Sequence, residues 1–405
     1  MSDAASAVSG GRHLQFPALE EMCYLNTASI GLMPLSAQLA SERFARQLGL
    51  YGTTWFDEPT EVGALDAARR TAAALLKAPV EQVAITTSMT EAMSQIAWSL
   101  RPPTGTNVVS VDFEFPSVPY PWMRVARETG AKVRLVPASE HPGELSLEAV
   151  AEVVDEATEV ISLSHVQYST GYRFDLAALA DLAARHGAWF VVDATQSMGA
   201  VSLDLSDGQI DAMLCAGYKW LCGPFGAAIC YIGRRLLERL DPPFVGWKSA
   251  QEPYTMDASR LRLARSPVER LEYSTMAYGA GVALASSIDY VRSVGVEKIQ
   301  EHNLRLGAVL HDGLVELGAE VLSTREDGHR TGIVTARFPG LDGEEVAGWL
   351  NQSGIIVSPR FGSTRLSVHF YNTDEDVALA LRTIRAILQR RGPVAPERSG
   401  RGAGP

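Results

Sequence analysis

Cysteine is scarce in this chain of 405 residues, which has only Cys23, Cys215, Cys222 and Cys230. The last three lie close together, but their spacing is longer than the C-x2-4-C pattern of zinc sites, so we expect no metal site. The chain starts without the apolar segment of a secretory signal. We therefore expect buried, reduced thiols and a cytoplasmic location.

Long apolar runs, excess positive charge and nucleotide-binding glycine motifs are also missing. The longest apolar stretches, such as AWFVVDA and GAAICYI, fall well short of the ~20 residues of a membrane-spanning helix. Lysine and arginine number 36 against 47 acidic residues, a formal net charge of −11, which argues against nucleic acid as a partner. No G-x-G-x-x-G follows the first strand and no G-x-x-x-x-G-K occurs, which argues against dinucleotide-dependent oxidoreductases and P-loop enzymes.

Short apolar runs rich in β-branched residues alternate with amphipathic segments through the first two-thirds of the chain. The runs predicted as strands are QVAITT (82–87), NVVSVD (107–112), KVRLVPA (132–138), EVISLSHV (159–166), WFVVDAT (189–195), AMLCAG (212–217) and GAAICYI (226–232). The segments predicted as helices between them are 91–100, 119–130, 145–155 and 175–187. This alternation is typical of a doubly wound α/β fold with a mostly parallel sheet.

The pattern changes near Leu284, where one long helix is predicted to begin. Strands are then predicted at 331–338, 354–360 and 364–370, before a helix that closes the fold. We therefore predict a large domain over 21–283 and a smaller C-terminal α+β domain over 284–391. The N-terminal segment 1–20 precedes them, and the tail 392–405, rich in Gly, Pro and Arg, is predicted to be disordered.

Several reactive or polar side chains follow these strands, at the edge of the sheet where open α/β folds bind ligands. Each has an ordinary interpretation when taken alone: Thr90 as a helix N-cap, Phe115 as a core aromatic, Asp193 as the partner of an arginine, and Lys219 as a solvated surface residue. Together they supply a phosphate turn, a stacking ring, an anion and an amine. These are the requirements for binding pyridoxal 5′-phosphate (PLP).

Motifs spread over most of the chain carry a resemblance to a known family. They are YLNTASIGLMP, TTSMTEAM, FEFPSVPYPW, SHVQYSTGYRFDL, VVDATQSMG, CAGYKWLCGPFG, RLEYSTMAYG and TRLSVHFYNTDEDV. From Tyr24 to Ala386 the chain resembles PLP enzymes of the class V aminotransferase family, which have PLP fold type I. The FEFPS and GYKWLCGPFG variants look most similar to the isopenicillin N epimerase-like branch, which includes enzymes of lincosamide antibiotic biosynthesis that act on cysteine S-conjugates.

The resemblance implies roles around the cofactor ring. Lys219 would form the internal aldimine and later move the proton at the substrate Cα. Asp193 would pair with the pyridinium nitrogen, and Phe115 would stack on the ring. Gln167 and Gln196 would contact the 3′-oxygen of the ring.

The resemblance also implies how the cofactor phosphate is held. Met89 and Thr90 would bind it through backbone and hydroxyl groups, and Tyr218 would add a further contact. Thr275 would reach the phosphate of a neighbouring subunit. A homodimer with shared active sites is therefore implied.

For the amino-acid substrate, the resemblance implies that Arg365 binds the α-carboxylate, a bidentate task that suits arginine. Asn26 and Ala28 would line the substrate entrance. Arg360 is a second arginine nearby. It either binds a further acidic group of the substrate or pairs with a surface carboxylate.

Two departures from the family pattern bear on the reaction. Cysteine desulfurases carry a persulfide-forming cysteine ahead of the carboxylate-binding arginine, but the matching stretch IIVSPRFGSTR has none. Ala216 stands where the family usually has a serine. Because a thiolate is a good leaving group, β-elimination requires no nucleophilic cysteine, and we predict this reaction at a cysteine S-conjugate, that is, a C–S lyase. Decarboxylation coupled to oxidative deamination, epimerisation, transamination and a non-catalytic binding module remain as alternatives.

Two further segments are expected to shape the pocket. They are a lid around TTWFDEP (53–59) and the loop 244–265. Trp55, Trp247 and Tyr254 in these segments would either stack on a bulky substrate or serve packing and dimer contacts.

Overall fold

The computed structural model describes residues 12–138, 145–264 and 266–391. The predicted disordered tail lies outside these residues, as does most of the predicted N-terminal segment. The strands are β1 (Cys23–Tyr24), β2 (Val83–Thr86), β3 (Asn107–Val111), β4 (Lys132–Val136), β5 (Thr158–Ser164), β6 (Trp189–Asp193), β7 (Ala212–Ala216), β8 (Ala228–Ile232), β9 (Glu320–Val321), β10 (Ile333–Arg337), β11 (Ile355–Ile356), β12 (Ser358–Arg360) and β13 (Ser363–Ser367).

The large sheet has the strand order β2-β8-β7-β6-β5-β3-β4. Neighbours from β7 through to β4 run parallel, whereas β8 is antiparallel to both β2 and β7. Successive residues of a strand face opposite sides: Ile161 and Leu163 pack in one core, and Val160 packs in the other. Both faces are therefore covered, as the apolar strand sequences predicted.

The helices lie on both sides of this sheet and around the second one. They are α1 (Arg12–Gln15), α2 (Leu35–Tyr51), α3 (Glu58–Gly63), α4 (Asp66–Leu76), α5 (Met89–Leu100), α6 (Pro119–Thr129), α7 (Leu147–Val153), α8 (Leu176–Arg185), α9 (Arg234–Leu237), α10 (Pro267–Leu271), α11 (Tyr278–Val294), α12 (Val296–Glu316), α13 (Gly343–Gln352) and α14 (Asp374–Arg391). Within the described residues, no helix combines the length and apolar character that a membrane crossing requires.

The long helix predicted from Leu284 is two helices in the structure. Gly295 separates α11 from α12 with φ +94°, a left-handed value that ends the first helix. The prediction of one helix was wrong because the apolar pattern continues on both sides of the glycine. Since α11 runs continuously across residue 283, a domain boundary at that point remains a proposal.

The second sheet has the order β12-β13-β10-β9 and is antiparallel. The chain's N-terminal segment joins this C-terminal region, because β1 pairs in parallel with β11. Leu25 packs in the same core as Leu306, Leu350 and Val377. Residues just after β1 are thereby placed beside the strands that carry the two arginines.

Candidate active site

Lys219 and Asp193 lie at the carboxyl ends of neighbouring parallel strands. Asp193 is the last residue of β6, and Lys219 follows β7 by three positions. The two residues are 5% and 8% exposed, respectively. Burial lowers the pKa of Lys219 to about 8, an effect that Asp193 partly opposes, and burial raises the pKa of Asp193. A buried amine that is partly neutral near pH 7 suits Schiff-base and proton-transfer chemistry.

The backbone around Lys219 is held by the N-terminal segment. Gly31 donates its N–H to the Tyr218 carbonyl at 2.8 Å. A Cβ on Gly31 would lie 1.9 Å from the Lys219 carbonyl oxygen. Only glycine therefore allows this close approach.

Phe115 lies over Lys219 at the open side of the site. The Lys219 Nζ is 5.5 Å from the centroid of the Phe115 ring, and Phe115 meets the Tyr168 ring edge-on at 5.6 Å. Phe115 is 39% exposed, so it is not a core aromatic. At this exposure part of its ring is accessible to a ligand.

Glu114 is a buried carboxylate that the sequence did not single out. It accepts hydrogen bonds from the Ser164 N–H at 2.6 Å, the Ser164 hydroxyl at 2.5 Å and the Gln167 Nε2 at 2.8 Å. Burial still raises its pKa to about 7. Because Nε2 is bound to Glu114, the buried Oε1 of Gln167 has no hydrogen-bond partner within the described residues.

Gln196 is committed to neighbouring protein groups at both ends of its amide. Its Nε2 donates to the Ala28 carbonyl at 2.9 Å, and its Oε1 accepts from the Trp220 Nε1 at 2.7 Å. Ala28 in turn donates its N–H to the Ser367 hydroxyl at 2.9 Å. Gln196 and Ala28 thus tie the cofactor side of the site to β13, and their contacts with ligands remain predictions.

The predicted phosphate turn is the N-terminus of α5. Ser88, not Thr90, caps this helix, because its hydroxyl accepts from the Glu91 N–H at 3.1 Å. The sequence alternative of a Thr90 cap is therefore wrong. Thr90 lies exposed in the first turn and donates to the Ser117 hydroxyl at 2.8 Å. Met89 beside it is buried.

Two further residues predicted to bind the phosphate lie in other parts of the chain. Tyr218 contacts the Phe225 ring at 4.6 Å. Thr275 is exposed in the segment between α10 and α11. An exposed position is what a contact across a subunit interface requires, but the role of Thr275 remains a prediction.

Arg365 and Arg360 meet at one serine. Arg365 is 1% exposed and donates to the Tyr168 carbonyl at 2.5 Å and to the Ser29 hydroxyl at 2.6 Å. Arg360 donates to the same hydroxyl at 3.1 Å and to the Pro359 carbonyl at 2.7 Å. Within the described residues neither arginine pairs with a carboxylate, so nothing there supports the surface-pair alternative for Arg360, and its role remains a prediction.

A chain of hydroxyl groups continues from the arginines. The Ser29 and Ser358 hydroxyls lie 2.9 Å apart, and Ser358 donates to the Asn26 Oδ1 at 2.8 Å. Asn26 also bridges to Ser367. Asn26 is thus placed behind the arginine pair through Ser358, and a direct contact with substrate stays a prediction.

The aromatic residues of the predicted lid and loop contact other aromatic side chains. Trp55 meets Phe44 edge-on at 5.4 Å, and Trp247 meets Tyr254 edge-on at 5.2 Å. The Lys248 ammonium lies 5.1 Å from the Trp247 ring centroid. These contacts favour the packing alternative, whereas stacking on a substrate remains untested.

The residues fit PLP. Asp193 accepts the Thr195 N–H at 2.8 Å on one oxygen, and within the described residues it forms no ion pair with an arginine, so it can meet a cationic ring nitrogen. The unpartnered Oε1 of Gln167 is an acceptor for a ring hydroxyl. Lys219 would supply the amine and Phe115 the stacking face.

The family is established by comparison with known proteins. The model of the aminotransferase class-V family matches residues 60–380. The chain therefore belongs to the class V aminotransferase family, whose members use PLP. This confirms the prediction of a PLP-dependent enzyme.

Two individual relatives are each less than 30% identical to this chain. An uncharacterized aminotransferase, YcbU, from Bacillus subtilis (strain 168) is 29% identical over 373 residues, covering 92% of this chain and 96% of that protein. A probable cysteine desulfurase from Pyrococcus abyssi is 26% identical, covering 79% of this chain and 82% of that protein.

Two solved structures are similar in fold. The apo cysteine desulfurase from Thermococcus onnurineus NA1 has a TM-score of 0.84 at 23% identity, covering 94% of this chain and 98% of that chain. The cystine C–S lyase C-DES in complex with cysteine persulfide has a TM-score of 0.84 at 23% identity, covering 92% of this chain and 99% of that chain. Both confirm the predicted fold, PLP fold type I.

Proposed function

We propose that this protein is a PLP-dependent C–S lyase that cleaves S-substituted L-cysteine by β-elimination. The products are a thiol, pyruvate and ammonia. The relatives named as cysteine desulfurases, and the structural neighbour named as a cystine C–S lyase, support a cysteine-like substrate.

One observation carries the choice of a lyase over a desulfurase. The segment 355–365 has no cysteine, and all four cysteines of the chain are buried. Burial raises the pKa of the Cys215, Cys222 and Cys230 thiols, which disfavours the reactive thiolate. No thiol is therefore poised to capture sulfur, and the sulfur leaves as a thiolate.

The protein groups have distinct tasks in this reaction. When bound, PLP supplies an electron-withdrawing ring that accepts the electron pair released at the substrate Cα. Asp193 keeps the ring nitrogen protonated. Lys219 removes the proton from Cα, and the Cβ–S bond breaks with its electron pair leaving on sulfur. The remaining three-carbon fragment takes up water and is released as pyruvate and ammonia.

The substrate would bind at the part of the site that contains Arg365 and Arg360, here called the arginine side. Arg365 would hold the α-carboxylate, since it is buried and its Nε has no partner within the described residues. A fixed carboxylate orients the Cα–H bond toward Lys219.

We further propose a cytoplasmic homodimer with shared sites, working in specialised metabolism such as antibiotic biosynthesis. The exposed Thr275 supports the subunit contact. The FEFPS and GYKWLCGPFG variants support the isopenicillin N epimerase-like branch and its link to cysteine S-conjugates. Sedimentation analysis of the holoenzyme tests the dimer, and a monomer that is fully active would overturn it.

The decisive experiment is the product profile of the holoenzyme with a panel of S-substituted L-cysteines, read by mass spectrometry. Free thiol with pyruvate and ammonia is the expected result. An aldehyde with carbon dioxide and ammonia would assign the decarboxylating deaminase instead. A D-amino acid or a sulfur-retaining keto acid would assign an epimerase or an aminotransferase.

A further inference from the structure

The arginine side of the site holds more positive charge than one α-carboxylate neutralises. Arg360 and Arg365 both donate to the Ser29 hydroxyl. Their other described hydrogen bonds go to the neutral carbonyls of Pro359 and Tyr168. Desolvated cations without counter-charges are costly unless an anion joins them.

The serine chain keeps the two cations together without neutralising them. Because Ser358 donates to Asn26 Oδ1, Ser29 donates to Ser358 and its lone pairs accept from both guanidinium groups. A neutral hydroxyl offsets only a small part of the free energy that is needed to bury each guanidinium charge. Burial lowers the pKa of Arg365 to about 9, and the nearby Arg360 charge lowers it further in the same direction.

The two arginines differ in depth and lie on paired antiparallel strands. Arg365 is fully buried in the middle of β13, whereas Arg360 is partly exposed at the end of β12. The turn between these strands is Phe361–Gly362, with φ +48° and +70°, values typical of a tight two-residue hairpin. This turn pairs Arg360 with Ser363 and Ser358 with Arg365. Arg360 therefore lies outward of the deep arginine.

We infer that the substrate carries a second acidic group on its sulfur substituent and that Arg360 binds this group while Arg365 binds the α-carboxylate. This inference rests on the proposed function, and it narrows the substrate class to S-conjugates with an anionic substituent, such as a carboxylate. Arg360 is then a specificity-determining residue.

Binding is tested with ligands that cannot release a thiolate. L-2-aminoadipate is the carbon analogue of S-carboxymethyl-L-cysteine, and its side-chain amide has nearly the same shape without the second charge. Calorimetry on the holoenzyme should show that the acid binds about tenfold more tightly than the amide, as one charge-assisted contact predicts. Arg360→Gln should abolish this preference while leaving affinity for the amide nearly unchanged.

Arg325→Gln is the matched control, because Arg325 forms an exposed pair with Asp312 away from the site. It should keep the preference. Equal affinity of the wild type for both ligands would overturn the inference, and so would an Arg360→Gln variant that weakens both ligands equally, since Arg360 would then act on the α-carboxylate.

Turnover separates this inference from the proposed function. S-carboxymethyl-L-cysteine and S-carbamoylmethyl-L-cysteine are compared for thiol release. A charge preference in binding without thiol release would keep the Arg360 subsite and overturn the lyase. Thiol release from both at equal kcat/KM would keep the lyase and overturn the subsite.

Discussion

The site has a cofactor half, with Lys219, Asp193 and Glu114, and a substrate half, with Arg360 and Arg365. The two halves differ in whether the protein itself supplies partners of opposite charge. In the cofactor half, burial lowers the pKa of Lys219 and raises the pKa of Asp193, and each residue partly opposes this effect on the other. The Glu114 carboxylate there accepts three hydrogen bonds. In the substrate half, Arg360 and Arg365 are bound by neutral acceptors within the described residues. The first half is pre-organised by the protein alone, whereas the second is electrostatically incomplete until an anion binds.

The halves also differ in how the chain builds them. Asp193 and Lys219 follow adjacent strands of one sheet, so local strand ends place them together. Ser29 and Arg365 are far apart in sequence and meet because the N-terminal segment pairs with the second sheet. A site whose halves arise so differently should respond differently to substitutions in each.

Removal of the amine should have the largest effect. We expect Lys219→Ala to fold and to retain PLP without a covalent link, with turnover lower by about 10²–10⁴-fold because the proton at Cα loses its base. Visible absorption of the bound cofactor and steady-state kinetics measure the two effects.

Lys77→Ala is the control, since Lys77 forms an exposed pair with Asp204, and it should be fully active. Full turnover by Lys219→Ala would remove Lys219 from the chemistry.

The sequence predicts the cofactor half far better than the substrate half, for physical reasons. Apolar β-branched runs mark the strands, and the residues that follow them must lie at one sheet edge. The same runs carry no information on strand direction, so the antiparallel β8 was not foreseen. Glu114 and Ser29 were missed because no local pattern separates a buried glutamate or serine from an exposed one. The partners of Arg360 depend on long-range pairing, and the sequence left them open.

The buried charge of Glu114 should appear as a pH-dependent stability. Its pKa is raised to about 7, so its stabilising contribution is complete below its ordinary pKa and is lost as pH rises through about 7. Glu114→Gln cannot ionise. Relative to that variant, the wild type should lose about 3 kcal/mol of unfolding free energy between about pH 4 and about pH 8.

Urea unfolding of both proteins across this pH range measures the difference. A difference that does not change with pH would mean that Glu114 stays ionised throughout, and that the cofactor half holds a permanent buried charge.

Loss of the deep arginine should act on substrate binding. We expect Arg365→Ala to cost about 1.5–3 kcal/mol of substrate affinity, the value of a charge-assisted hydrogen bond, seen mainly as a raised KM. PLP content should be unchanged, because this residue belongs to the substrate half. An unchanged KM for a free amino acid would take Arg365 out of the site.

Gly31 connects the two halves of the site. It lies two residues after Ser29 and contacts the Lys219 backbone. A methyl group there must displace the Lys219 carbonyl, so Gly31→Ala should lower the unfolding free energy by about 1–3 kcal/mol. It should also weaken PLP retention and raise KM together, since one shift of the backbone moves both halves.

Gly49→Ala is the control, because nothing lies within 4 Å of the added methyl, and helix propensity there favours alanine. A Gly31→Ala variant that loses stability but keeps both affinities would show that the two halves are positioned independently.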